Sequence, residues 1–244
     1  LPQRAQSDRP AHPSLAGGAA MRPLIAEAFG TFALVFAGTG AITINAVTSG
    51  SVTHVGIALT FGLIVMAMIF ALGPISGAHM NPAVTCALAL AGRFPRNRIG
   101  SYIIAQCIGA LAASLTLRLM FPAAPTLGQT LPLGEGMHAL LRAWTLEALL
   151  TFVLMLVILR VTMPGREVAI TPAIAIGGVV ALEALFAGPV TGASMNPARS
   201  LAPALISGVT QHLWIYLTAP IAGACLAVFI ARSFEPANPP AFRA

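Results

Sequence analysis

Ser76-Gly-Ala-His-Met-Asn-Pro-Ala-Val-Thr85 returns later in the chain as Thr191-Gly-Ala-Ser-Met-Asn-Pro-Ala-Arg-Ser200, with six of ten positions identical at an offset of 115. Two further matches keep the same order. Glu27-Ala28 and Thr31-Phe32 recur as Glu147-Ala148 and Thr151-Phe152, and Ala105-Gln-Cys-Ile-Gly-Ala110 is echoed by Ala219-Pro-Ile-Ala-Gly-Ala224. Ordered self-similarity of this kind marks a duplicated unit.

The residues around the repeats define the solvent. Apolar residues make up 57% of the 244, and charged residues only 8%, against about 25% charged in an ordinary soluble domain. So few charges cannot cover a water-facing surface, which makes lipid the expected surroundings. A helical span takes ~20 apolar residues. Residues 55–78 and 99–117 contain no Asp, Glu, Lys, Arg or His. Similar stretches predict six spans near 22–47, 54–74, 98–120, 141–162, 168–188 and 211–232. Each repeat, about 21–121 and 141–234, holds three spans. An odd number forces the second copy to enter the membrane from the opposite face, and sites in inverted repeats lie near the midplane.

Charge sets an expected orientation. All thirteen cationic residues are Arg. With the amino terminus in the cytoplasm, ten fall inside and only Arg118 and Arg142 outside. That bias predicts cytoplasmic termini at both ends and does not form a nucleic-acid patch. Cys86, Cys107 and Cys225 stand singly in apolar stretches and read as small buried hydrophobes. Residues 1–20 are rich in Pro, Ser, Gln and Arg and lack the apolar run of a signal peptide, so an unstructured extension is expected there. Residues 235–244 read as a cytoplasmic tail, and Phe121 to Leu140, with its Pro and Gly residues, as an extracellular loop.

Each Asn-Pro-Ala opens an apolar segment, about 81–91 and 196–206, too short to cross a bilayer. Such segments are re-entrant half-helices, tolerated only when buried in protein or lining water. The fold class expected is therefore all-α: six transmembrane helices plus two half-helices whose amino termini meet. Asn81 and Asn196 suit the N-cap, Pro82 and Pro197 the first helical position, and Ala83 and Ala198 a close approach. With the Asn oxygens spent on capping, their amide N–H groups are expected to face the pore as donors. Two facing helix amino termini place positive partial charge at the midplane, repelling cations and interrupting a proton-conducting water chain. The preceding segments, Gly77-Ala78-His79-Met80 and Gly192-Ala193-Ser194-Met195, are expected to turn unpaired carbonyls toward a file of water or polar solute.

These motifs, from Met21 to about Phe234, resemble the major intrinsic protein family of aquaporins and glycerol facilitators. The stretch Leu185-Phe-Ala-Gly-Pro-Val-Thr-Gly-Ala-Ser-Met-Asn-Pro-Ala-Arg-Ser-Leu201 is similar to the nodulin-26-like branch and its bacterial relatives. The resemblance implies a selectivity filter of Phe61, Ala184, Ala193 and Arg199, a homotetramer with one pore per subunit, and passage of water, glycerol or neutral metalloid acids such as arsenous acid. Water-selective members usually have His at the position of Ala184, and glycerol facilitators usually have Asp at the position of Ser200. This chain matches neither pattern.

Glu27 and Glu147 are symmetric partners, expected to accept hydrogen bonds from the re-entrant loops rather than to relay protons. Glu183 should point about 100° from Ala184 and bond to the outer loop. His79 lacks a catalytic partner and is assigned to the loop or inner vestibule. No catalytic group, metal or cofactor is expected. The function expected is passive conduction across a cell (inner) membrane; a proton-coupled transporter is the alternative, and a hydrolase built on His79 or Ser194 is remote.

Overall fold

The structure, a computed structural model, describes residues 13–163 and 170–234. Eight α-helices are present among them: α1 (Pro13–Val47), α2 (Thr53–Ser76), α3 (Pro82–Leu90), α4 (Ile99–Met120), α5 (Met137–Val161), α6 (Ile170–Thr191), α7 (Pro197–Ser207) and α8 (Leu213–Ser233). Six of these, all but α3 and α7, are long and apolar enough to cross a membrane. The other two span 9 and 11 residues, far short of a bilayer.

The spans differ from the sequence expectation at their ends. α1 starts at Pro13, so residues 13–20 are helical where composition predicts an unstructured extension. Proline is tolerated in a first helical turn, and extending an existing helix is cheap. Residues 1–12, the tail at 235–244 and the expected start of the fifth span lie outside the described residues. α2 and α6 continue past Pro74 and Pro189 to Ser76 and Thr191. A proline removes one ladder bond and bends a helix without having to end it.

Packing follows the duplication. α1 lies on α4, α5 on α8, and α2 on α6 across the repeats. The close crossings are made at the repeated small residues. A Cβ on Gly109 would stand 2.0 Å from the Ala28 carbonyl oxygen, and one on Gly223 would stand 1.9 Å from that of Ala148. The matched sequence pairs are thus the two contact points of a duplicated helix crossing. α2 and α6 meet the same way: a Cβ on Gly62 would be 2.5 Å from the Gly177 carbonyl oxygen. Large apolar side chains such as Ile25, Leu119 and Leu182 point outward, as lipid contact requires.

Candidate functional site: a cavity between two half-helices

α2 and α6 each end in a left-handed residue and run into the same unusual loop. Gly77, Ala78 and Met80 have φ of 86°, 47° and 50°; Gly192, Ala193 and Met195 have 86°, 41° and 54°. For Ala and Met this region costs about 1–2 kcal/mol per residue, and such strain persists only where the surroundings over-determine it. Two buried carboxylates do so. Glu27 accepts from the Ser76 hydroxyl (2.7 Å), the His79 N–H (2.9 Å), the Met80 N–H (2.7 Å) and the Gln106 amide (2.7 Å). Glu147 accepts from the Thr191 hydroxyl (2.7 Å), the Ser194 N–H (2.9 Å) and the Met195 N–H (2.8 Å). The helix ends before these loops are closed by a second matched pair: Tyr102 donates to the Ser76 carbonyl (3.0 Å) and Tyr216 to the Thr191 carbonyl (2.8 Å).

The half-helices meet at their asparagines. The Asn81 side-chain oxygen accepts from the Ala83 N–H at 2.9 Å, and that of Asn196 from the N–H groups of Ala198 (3.0 Å) and Arg199 (3.3 Å). Each amide then crosses the interface: Asn81 Nδ2 donates to the Met195 carbonyl (2.7 Å) and Asn196 Nδ2 to the Met80 carbonyl (2.8 Å). The expectation from sequence changes here. One amide hydrogen of each Asn is spent on the opposite loop, and one is left for the cavity. The carbonyls of Met80 and Met195 are likewise occupied. Those of Gly77, Ala78, His79, Ala193 and Ser194 accept no hydrogen bond from the described residues.

One cavity of about 320 Å³ joins these parts, lined by Phe61, Ala184, Ala193 and Arg199 and also by Asn81, Asn196, Arg93 and Thr162. Gly77, Ala78, His79, Met80, Ser194 and Met195 line it as well, whereas Gly192 lies off it; a Cβ on Gly192 would meet Thr130 at 2.8 Å. Pro82, Ala83, Pro197 and Ala198 are buried behind the lining. Arg199, 1% exposed, donates Nη1 to the Gly128 carbonyl at 2.7 Å and lies over the Phe61 ring, 5.0 Å from its centroid. Its Nε and Nη2 are buried and have no hydrogen-bond partner among the described residues.

The far side of Phe61 rests on Gly38, where a Cβ would stand 2.1 Å from Phe61 Cε1. Gly38→Ala is therefore expected to drive the ring toward the cavity at a cost of about 1–3 kcal/mol in overpacking. Osmotic water permeability of proteoliposomes should fall, and adding Phe61→Leu should restore it.

One placement differs from the sequence reading. Glu183 is buried off the cavity, as its position beside Ala184 predicts, yet no hydrogen bond from the described residues reaches it and its Oε2 is unpartnered. The expected bond to the outer loop is absent because the loop's contacts go elsewhere. Its Thr130 hydroxyl donates to Ser200 (2.8 Å), which is joined in turn to Ser194 (2.5 Å), and its Leu133 N–H donates to Val190. Ser200 thus stands on an internal hydroxyl chain. His79 lines the cavity with Nδ1 3.1 Å from the Thr85 hydroxyl, and its ring packs against Phe94 and Tyr102. Sequence reasoning missed Gly38, Gly128 and the tyrosines. The tyrosines had a usable signal: the chain has only two, 114 residues apart, at the repeat spacing.

Comparison with known proteins agrees with this geometry. The family model described as major intrinsic protein matches residues 15–231. Aquaporin NIP1-1 of Zea mays is 47% identical over 205 residues, covering 84% of this chain and 71% of that protein. Putative aquaporin NIP4-1 of Arabidopsis thaliana is 45% identical over 208 residues, covering 85% and 72%. The X-ray structure of the aquaglyceroporin from Plasmodium falciparum superimposes with a TM-score of 0.78 at 28% identity, over 88% of this chain and 96% of that one. With the doubled half-helices, the shared cavity and these relatives in hand, the chain belongs to the major intrinsic protein family and is a membrane channel for water and small solutes.

Proposed function

We propose that the pore passes water together with small uncharged hydroxylated solutes, glycerol and neutral metalloid acids such as arsenous acid among them, and excludes protons and ions. The observation that carries this reading is the wall formed by Phe61, Ala184, Ala193 and Arg199. Two of its four side chains are single methyl groups, one is an aromatic face, and one is a cation with two unpaired donor nitrogens. A polyol or an undissociated hydroxide offers oxygens to the guanidinium and carbon or a weakly hydrated edge to Phe61. The aquaglyceroporin likeness supports the same solute class.

Exclusion of protons follows from the asparagine pair. A water between Asn81 and Asn196 accepts from both remaining amide hydrogens, so it cannot also accept from its neighbours in the file, and the chain of donors breaks there. The amino termini of α3 and α7 add positive potential at that point. Glu27 and Glu147 are occupied by loop donors, which weighs against the proton-coupled transporter. The bias of Arg residues supports cytoplasmic termini, and the family likeness supports a homotetramer in an inner membrane.

Ala184→His tests the filter. The imidazole narrows the wall and adds a polar group, so glycerol permeability should fall at least about tenfold, since even one added methylene is worth that much, with a smaller loss for water. Stopped-flow light scattering on proteoliposomes measures both. Equal losses for the two solutes would refute the filter assignment.

A further inference from the structure

α6 contains Pro189, which has no N–H, so the carbonyl of Leu185 four residues earlier is left without its helical bond. The structure fills that vacancy from another helix. His54 Nε2, on the exposed rim at the start of α2, lies 2.7 Å from the Leu185 carbonyl oxygen. A ring nitrogen this close to a carbonyl carries the hydrogen, which both the Nε2–H tautomer and the cation supply. The ring sits in the space left by Gly188. A Cβ there would be 2.8 Å from His54 Cε1, and the three nearest atoms all belong to His54.

The first repeat supplies a control within the same molecule. Pro74 stands at the repeat offset of 115 from Pro189 and orphans the Phe70 carbonyl in the same way. Among the described residues no side chain donates to that carbonyl. Gly73, the counterpart of Gly188, faces open space. The sequence position equivalent to His54 is Ala169, which has no donor side chain. Among the described residues this proline is unpinned in the first copy, and the contact in the second copy is an addition.

Its location gives it consequence. His54 and Phe61 are two turns apart on α2 and so share a face. Leu185 directly follows Ala184 on α6. The two helices touch backbone to backbone at Gly62 and Gly177, next to Phe61 and two turns before Ala184. The glycine crossing is a fulcrum, His54 ties the helices beyond it, and the Phe61 and Ala184 walls are held between.

We propose that His54 is a positioning residue that sets the width of the filter by tying the broken turn of α6 to the first turn of α2. This rests on the reading of Phe61 and Ala184 as filter walls. The test is the ratio of glycerol to water permeability in proteoliposomes, which does not depend on how much protein is folded. His54→Ala should raise the ratio about fivefold, the equilibrium weight of one ordinary hydrogen bond. His54→Gln, which keeps a donor of similar reach, should return it to the wild-type value. Gly188→Ala should displace the ring and raise the ratio as His54→Ala does, yet change nothing when added to His54→Ala. An unchanged ratio in His54→Ala, a Gln variant that behaves like Ala, or additive effects of the two substitutions would each overturn the proposal. Ala184→His run alongside separates the failures: if it shifts the ratio and His54→Ala does not, the pin is wrong and the filter stands.

Discussion

Glu147→Leu should abolish water permeability and lower the thermal midpoint of the purified protein by the largest step of any single substitution in the site. The leucine fits the space but leaves three donors without partners: the N–H groups of Ser194 and Met195 and the Thr191 hydroxyl. A buried donor stripped of its acceptor costs about 1–3 kcal/mol, so the three together lose on the order of 3–9 kcal/mol. Without those bonds nothing holds Ala193 and Met195 in the strained left-handed region, so the loop should leave its path and close the pore. Glu147→Gln is the graded control. It keeps one oxygen for Thr191 and Ser194 but turns an amide donor against the Met195 N–H, so its midpoint should fall between the other two. Fluorescence-detected size exclusion after heating reads the midpoint, and stopped-flow scattering reads the pore. A Leu variant with wild-type values on both would mean that the carboxylate does not hold the loop.

Arg199→Val should leave the water path open and weaken the exclusion of cations. The guanidinium is buried in the cavity wall, with two donors unpaired among the described residues. A unit charge ~4 Å from a passing cation, at an effective dielectric of ~20, repels it by about 4 kcal/mol. Loss of that barrier should raise proton or sodium leak about tenfold or more, until the half-helix termini at Asn81 and Asn196 become limiting. Arg199→Lys keeps the charge and should keep the leak low, although it loses the stacked contact with Phe61. A pH-sensitive dye inside proteoliposomes under a potassium diffusion potential measures the leak. A Val variant as tight as wild type would remove Arg199 from the exclusion mechanism.

The substitutions act at points of very different visibility in the chain. The six spans, the two half-helices and the partnership of Glu27 with Glu147 were legible because each rests on a local signal: apolar run length, an Asn-Pro-Ala start, and a repeat offset. Span ends were less so. The expected spans end at or just before Pro74 and Pro189, whereas α2 and α6 run on through both, each losing one ladder bond. The outer loop was read as a connector, although its Gly128 carbonyl fixes Arg199. Nothing in a Pro- and Gly-rich stretch says which of its carbonyls will face a buried cation.

The sequence by itself determined the membrane class, the duplicated three-span plan and the capping chemistry of both half-helices, since these follow from composition, periodicity and residues adjacent in the chain. The tertiary structure alone decided where the remaining polar groups go. Each asparagine gives one amide hydrogen to the opposite loop and keeps one for the pore. Gly38 stands behind Phe61, and His54 completes a helical turn of α6 from α2. All of these are contacts between residues distant along the chain, often more than a hundred positions apart, and their geometry depends on how closely two helices approach. Chain order carries no record of that approach until the helices have packed.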